Sequence, residues 1–193
     1  IASLPKRFVS VSIDGADAAT HDAIRGVAGS FDRAVEAVRH LAAAGIRPQV
    51  IFAAMRTNVG EIERLIALAG QLGAGSVKFN VVQPTARGKA LRDAGETLSV
   101  AELIALGRKI ETVLAKKTRL TLFFDYPQAF RSLSRIADGS GCSVCGILGI
   151  IGILPTGHYA LCGIGEHVPE LVFGEAGRDS LAEIWKSHHL LVL

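Results

Sequence analysis

Residues 8–26, FVSVSIDGADAATHDAIRG, carry a hydroxyl, a carboxylate and a guanidinium at spacings that could meet around one small molecule. Ser12 and Asp14 lie at the end of an alternating, β-branched run that predicts a strand over 8–13. Arg25 follows at the close of a polar segment, next to Gly26. Parallel α/β proteins hold ligands outside the carboxyl ends of their strands. A guanidinium placed there can take a ligand carboxylate through two parallel hydrogen bonds. The ordinary alternative is a plain strand exit, with Asp14-Gly15 as a turn signal and Arg25 paired only with Asp22.

A second chemistry-bearing set lies near the end of the chain. Eleven residues separate Cys145 from Gly157, and four separate Gly157 from Cys162. The intervening sequence predicts a hairpin, with arms 149–154 and 158–162 joined at Pro155-Thr156-Gly157. The outer ends of paired strands bring distant sulfurs close, so this spacing suits either two metal ligands or two structural thiols. Cys142 has no place in that pattern. None of the six histidines has helical i, i+4 spacing with another, so no zinc site is expected.

The elements that must position these residues alternate regularly. Ser30 is placed to cap a helix with Phe31, Val35, Val38 and Leu41 on one face, stopped at Gly45. A strand is expected over 47–55. Asn58 and Glu61 then suggest a capping-box-like start to a helix carrying Ile62, Leu65, Ile66 and Ala69. A third strand follows over 76–83. Ser99 and Glu102 open a long helix over 98–117, and a fourth strand over 120–124 ends at Asp125. Strands separated by amphipathic helices imply right-handed βαβ crossovers and a parallel sheet. Pro84 to Gly88 reads as a solvated turn. From Ala137 the Gly, Ser and Cys content rises, which predicts two domains, 1–136 and 137–193. Residues 166–173 form a loop or short strand, and Ser180 with Glu183 opens a last helix.

Composition narrows the function classes. The chain has 193 residues, 49% of them hydrophobic, and a formal net charge of +3 with both signs scattered. No basic stripe marks a nucleic-acid groove. The most apolar run, 147–154, is too short to cross a bilayer, and Pro5-Lys6-Arg7 leads into a strand rather than a signal peptide. Three cysteines argue against a closed disulfide framework and for a reducing, cytoplasmic setting.

The run Ser12-Ile13-Asp14-Gly15, then His21-Asp22, Arg25-Gly26 and Gly29-Ser30-Phe31-Asp32, resembles the fourth strand and following helix of radical S-adenosylmethionine enzymes. It is most similar to members carrying a C-terminal SPASM or twitch extension. Pro84-Thr85-Ala86-Arg87-Gly88 is similar to the Pro-x-x-Arg-Gly turn of such enzymes. The Cys145, Gly157, Cys162 spacing resembles the opening of the extension, and 179–186 resembles the helix after its hairpin.

The resemblance implies an α/β fold: a partial (β/α)6 TIM-like barrel with parallel strands, then a small β-hairpin extension containing cysteines. It implies that Ser12 and Arg25 contact the ribose and amino-acid portions of S-adenosylmethionine, with Asp14 at the same site and backbone of Val82 near the adenine. Cys145 and Cys162 would bind an auxiliary iron–sulfur cluster. Ligands of the catalytic [4Fe–4S] cluster would lie upstream, so this stretch alone is expected to be inactive. The intact enzyme would generate a 5′-deoxyadenosyl radical and modify a peptide or protein, with a flavodoxin or ferredoxin as electron donor. The alternative is a cluster-free half-barrel that binds a peptide. A non-radical barrel enzyme using Asp14 and Asp125 would leave the cysteine spacing to chance.

Overall fold

The computed structural model describes residues 8–83, 87–125, 127, 130, 133–137, 149–163 and 168–187. The chain divides into two compact units, Ile1–Asp138 and Gly139–Leu193. Among the described residues no helix is long and apolar enough to cross a membrane.

The first unit is built on four parallel strands, β1 (Ser10–Ser12), β2 (Gln49–Ala54), β3 (Ser76–Val81) and β4 (Thr121–Asp125), in the order β1-β2-β3-β4. They form one open sheet, a partial barrel that does not close among the described residues. Ser12 pairs in register with Ile51, Ile51 with Lys78, and Lys78 with Phe123. Neighbouring strands in sequence are neighbours in the sheet, each parallel pair joined by a helical crossover.

Alternation along the strands sorts the two faces. Ile13, Val50, Phe52, Val77, Phe79 and Phe124 are buried together with the apolar stripes of the helices. Those helices are α1 (Ala18–Arg25), α2 (Ser30–Ala43), α3 (Ile62–Gln71), α4 (Arg87–Asp93) and α5 (Val100–Lys109). Val35 and Val38 of α2, Leu65 and Ala69 of α3, and Leu103 and Leu106 of α5 supply the packing. The other face is open and more polar: Ser10 and Ser12 are exposed, and Lys78 and Asn80 are half-buried.

Three helix starts differ from their sequence signals. Ser30 makes no cap bond to α2; Asp22 takes that role from α1, accepting from the Gly29 and Phe31 N–H groups at 2.6 and 2.8 Å and from the Ser30 hydroxyl at 2.8 Å. Asn58 does not cap α3, because a 3₁₀ turn, Val59–Glu61, intervenes. Its amide is drawn into the core instead. Arg87 to Asp93, where a turn ending at Gly88 is expected, form a short helix from Arg87 onward. A side chain at Gly88 would collide with the carbonyl oxygen of Gln83, so only glycine allows the chain to fold back this closely.

The predicted capping box is present at Ser99 and Glu102, each accepting from the other's backbone N–H. Arg56 also binds Glu102 at 3.0 Å, and these hydrogen bonds, Arg56 first and Ser99 second, hold the Glu102 carboxyl down to about 2. The long helix is not one α-helix. It passes from α5 through a π-helical turn, Ile110–Leu114, into a last α-turn, Ala115–Lys117. Thr112 donates to the Arg108 carbonyl at 2.7 Å within it.

A short helix α6 (Leu133–Ala137) completes the described part of the first unit. The second unit holds an antiparallel sheet, β5 (Gly152–Ile153), β6 (His158–Ala160) and β7 (Val172–Glu175), then helix α7 (Leu181–Ser187). The hairpin turns where expected, closed by the Gly157 N–H on Leu154 O at 2.8 Å. Residues 172–175 add a third strand, anchored by Asp179 accepting from the Glu175 N–H at 2.8 Å.

Phe52 and Phe79 meet edge to face at 5.9 Å in the middle of the core, both fully buried. Replacing Phe79 by Ala is expected to cost about 3–5 kcal/mol of unfolding free energy. A urea titration of the wild type and the variant measures it.

Candidate functional site

The site is assembled where β1 leaves the sheet. The β1 ladder runs as far as the Ile13 N–H, which donates to Ile51 O at 2.9 Å. At the next rung the Asp14 carboxylate replaces a backbone carbonyl: Oδ1 accepts from the Ala53 N–H at 2.9 Å. The main chain is thereby free to turn away while its side chain keeps the pairing. Oδ2 lies 2.6 Å from Nη2 of Arg25, the last residue of α1. Arg25 therefore pairs with Asp14, and Asp22 is occupied with the start of α2.

Two buried side chains clamp the exit. His21 Nδ1 accepts from the Asp14 N–H at 2.9 Å, which assigns the ring proton to Nε2. Its ring packs edge-on against Phe31 at 5.8 Å. Asn58, fully buried, donates from Nδ2 to the carbonyls of Asp14 and Ala53, both at 2.9 Å, and accepts from the Met55 N–H at 2.8 Å. One amide thus ties the ends of β1 and β2 together. Gly15 permits the closeness: a Cβ there would sit 2.6 Å from the main-chain nitrogen of His21.

The next turn is held from α3 and the residue before it. Glu61 accepts from the Ala16 N–H and the Thr20 hydroxyl, each at 2.6 Å. Asp17 caps α1 through the Thr20 N–H at 3.1 Å and pairs with Arg64 at 2.8 Å. The Arg64 hydrogen bond is the main reason that the Asp17 carboxyl lies below its ordinary range.

This frame leaves two groups outward. Ser12 is exposed, and its hydroxyl has no partner among the described residues. Arg25 is 37% exposed, with Asp14 its one partner among the described residues. Val82 follows the last residue of β3. By register Ser12 is level with Lys78, so Val82 lies four residues, about 13 Å, further toward the carboxyl end of the sheet. Ser12, Arg25 and Val82 border one end of the sheet without touching. Lys78 and Asn80 share the open face with Ser12.

Among the metal-ligand candidates, Cys145 and Cys142 lie outside the described residues. Cys162 is a free, half-buried thiol two residues past β6, at the end of the hairpin away from its turn. Its φ of 57° is left-handed, which for a non-glycine residue costs about 1–2 kcal/mol. Among the described residues no three His, Cys, Asp or Glu side chains are grouped to hold a metal ion.

A parallel α/β sheet thus carries an exposed hydroxyl and an anchored guanidinium beside the exit of its first strand. Comparisons with known proteins narrow this. No family model matches the chain. Over 93 residues it is 37% identical to an AdoMet-dependent heme synthase of Nitratidesulfovibrio vulgaris, covering 48% of this chain and 25% of that protein. It is 43% identical over 81 residues to the mycofactocin maturase MftC of Mycobacterium ulcerans, covering 42% and 21%. A PqqA peptide cyclase of Ruegeria pomeroyi is 29% identical over 180 residues, covering 92% and 46%. In structure the chain is similar to Streptococcus suis SuiB bound to S-adenosylmethionine, with a TM-score of 0.67 at 12% identity, covering 98% of this chain and 44% of SuiB. Over part of its length the chain is thus similar to AdoMet-dependent heme synthases and mycofactocin maturases, over most of it more distantly to PqqA peptide cyclases, and it shares the fold of SuiB. It spans between about a fifth and a half of these relatives' lengths.

Asn58, His21 and Glu61 are the site residues that sequence reasoning missed. The signals were present but pointed locally, to a helix cap, a structural histidine and a capping box. Asn58→Ala would strand the Met55 N–H and two carbonyls, an expected loss of roughly 3 kcal/mol in urea unfolding. His21 provides a pH test. Burial is the largest influence and lowers its pKa; Arg25 adds to this, while Asp14 and Asp22 oppose it. The neutral ring's contribution is complete above the unfolded-state value of about 6.5 and is lost as pH falls through and below it. The urea midpoint should therefore drop between about pH 7.5 and 5.5, and less so in His21→Gln.

Proposed function

We propose that the longer protein is a radical S-adenosylmethionine enzyme that modifies a peptide or protein, with this chain forming part of its cofactor pocket and the start of its extension. The observation that carries this reading is the pair of outward groups at the end of β1. The Ser12 hydroxyl and the remaining N–H groups of Arg25, whose Nη2 holds Asp14, face outward from a frame that gives every polar atom of Asp14 a partner. A hydroxyl and a guanidinium suit a molecule with a ribose and an amino-acid carboxylate, so the residues present fit S-adenosylmethionine. When bound and reduced at an iron–sulfur cluster, that cofactor would supply a 5′-deoxyadenosyl radical for hydrogen abstraction.

The chain's own residues would hold and orient. Ser12 would take the ribose, Arg25 the amino-acid carboxylate, and the Val82 backbone would face the adenine. Cys162, with Cys145, would ligate an auxiliary cluster; a cysteine kept in left-handed backbone is consistent with a thiol aimed by its surroundings. A peptide substrate is supported by relatives named as a maturase and a peptide cyclase, and by SuiB, solved bound to its precursor peptide SuiA. A flavodoxin or ferredoxin would deliver the electron, in the reducing cytoplasm that the odd cysteine count suggests.

The test uses the full-length protein, reconstituted anaerobically with iron and sulfide, then given dithionite and S-adenosylmethionine. Release of 5′-deoxyadenosine is expected, falling about tenfold or more in Arg25→Ala. A reconstituted protein that holds iron yet releases none would overturn the reading, and one that takes up no iron at all would overturn it in favour of the cluster-free peptide-binding module.

A further inference from the structure

Every polar atom of Asp14 already has a partner, and the residue is buried. Its N–H is bound by His21, its carbonyl by Asn58, one carboxylate oxygen by Ala53 and the other by Arg25. The residue is 4% exposed, whereas Arg25 beside it is more than one-third exposed. The ion pair uses Nη2 alone; the other donors of the guanidinium are without partners among the described residues. A guanidinium offers five N–H groups in a rigid plane, so fixing one nitrogen sets the direction of the rest.

From this geometry we infer that Asp14 is a positioning residue: it acts on the ligand only through Arg25, by holding the guanidinium with its free donors toward the cofactor's carboxylate. The inference rests on the cofactor reading above and adds the source of Arg25's orientation. Three features make the anchor firm. Asp14 is locked by three further hydrogen bonds, those bonds come from His21, Asn58 and β2, and two of the donors or acceptors involved are fully or nearly fully buried side chains. An arginine at the end of a helix, followed by a left-handed Gly26, would otherwise sample many rotamers in solvent. With the anchor, little freedom is lost when a carboxylate is met.

The test measures equilibrium binding to the full-length protein by calorimetry, with two probes. S-adenosylmethionine carries the amino-acid carboxylate; 5′-methylthioadenosine lacks it. Asp14→Asn keeps the shape and an acceptor for the Ala53 N–H but removes the charge that holds Arg25. It is expected to weaken S-adenosylmethionine binding about tenfold and to leave 5′-methylthioadenosine binding unchanged. Arg25→Ala should show the same pattern, and the double variant should lose no more than Arg25→Ala alone, since one residue works through the other. Equal weakening of both probes by Asp14→Asn, or additive losses in the double variant, would overturn the inference and leave the Arg25 contact standing. Unchanged affinity in Arg25→Ala would instead remove the contact on which it rests. Arg25→Lys keeps Asp14 intact and answers the same question if Asp14→Asn does not fold. A lysine keeps three N–H donors but on one nitrogen, without the rigid plane whose far donors the Asp14 anchor would aim, so affinity should fall nearly to that of Arg25→Ala; near-wild-type affinity would overturn the inference.

Discussion

A single carboxylate decides how the first strand ends. Where the β1 ladder would need one more backbone carbonyl, Asp14 supplies an oxygen from its side chain, and the main chain turns out of the sheet at that point. Everything outward of the turn depends on this substitution. A strand that continued another residue or two would carry Ser12 into the middle of a longer pairing and move α1, with Arg25 at its end, away from the sheet. A strand that stopped without a replacement would leave the Ala53 N–H unpaired inside the protein, at a cost of about 1–3 kcal/mol.

Because the carboxylate is spent in this way, the polar atoms around it have to be balanced locally. His21 and Asn58 do so, one by accepting and the other by donating, and neither has a charge at neutral pH. Among the described residues, the charge of the buried group is met by Arg25. Structure and binding potential are therefore joined at one ion pair: the same guanidinium that neutralises the strand exit is the group best placed to meet an anion. Glu61, Asp17 and Arg64 form a second ring of bonds that fixes the turn from the side of α3.

Much of this unit was legible in the sequence, for a physical reason. Period-two and period-3.6 patterns report on which face is buried, and burial is what holds β2, β3, α2, α3 and α5 in place. The box at Ser99 and Glu102 was readable because its partners are three residues apart. Asn58 and Asp22 were not, because their partners are set by folding: Asn58 reaches 44 positions back to Asp14, and Asp22 caps a helix other than its own. A polar residue of that kind carries the same letter whether it ends a helix or joins two strands. The outward pair Ser12 and Arg25 was legible as chemistry, whereas the partner that aims Arg25 was not. Spacing offered Asp22 as the partner of Arg25, whereas in the fold Asp22 is taken up by the start of α2 and Arg25 meets Asp14.

The π-turn at Ile110–Leu114 has an evolutionary consequence. In an ideal α-helix Lys109 and Lys117, eight residues apart, would point about 80° away from each other. Here both reach Glu63, at 2.8 and 3.8 Å, and Ile110 and Leu114 stay buried on the side of the core. The turn takes up one surplus residue and returns the helix to phase before β4 begins. The connection from β3 to β4 can thus change length by a single residue, gaining or shedding a bulge, while the sheet register on either side stays the same.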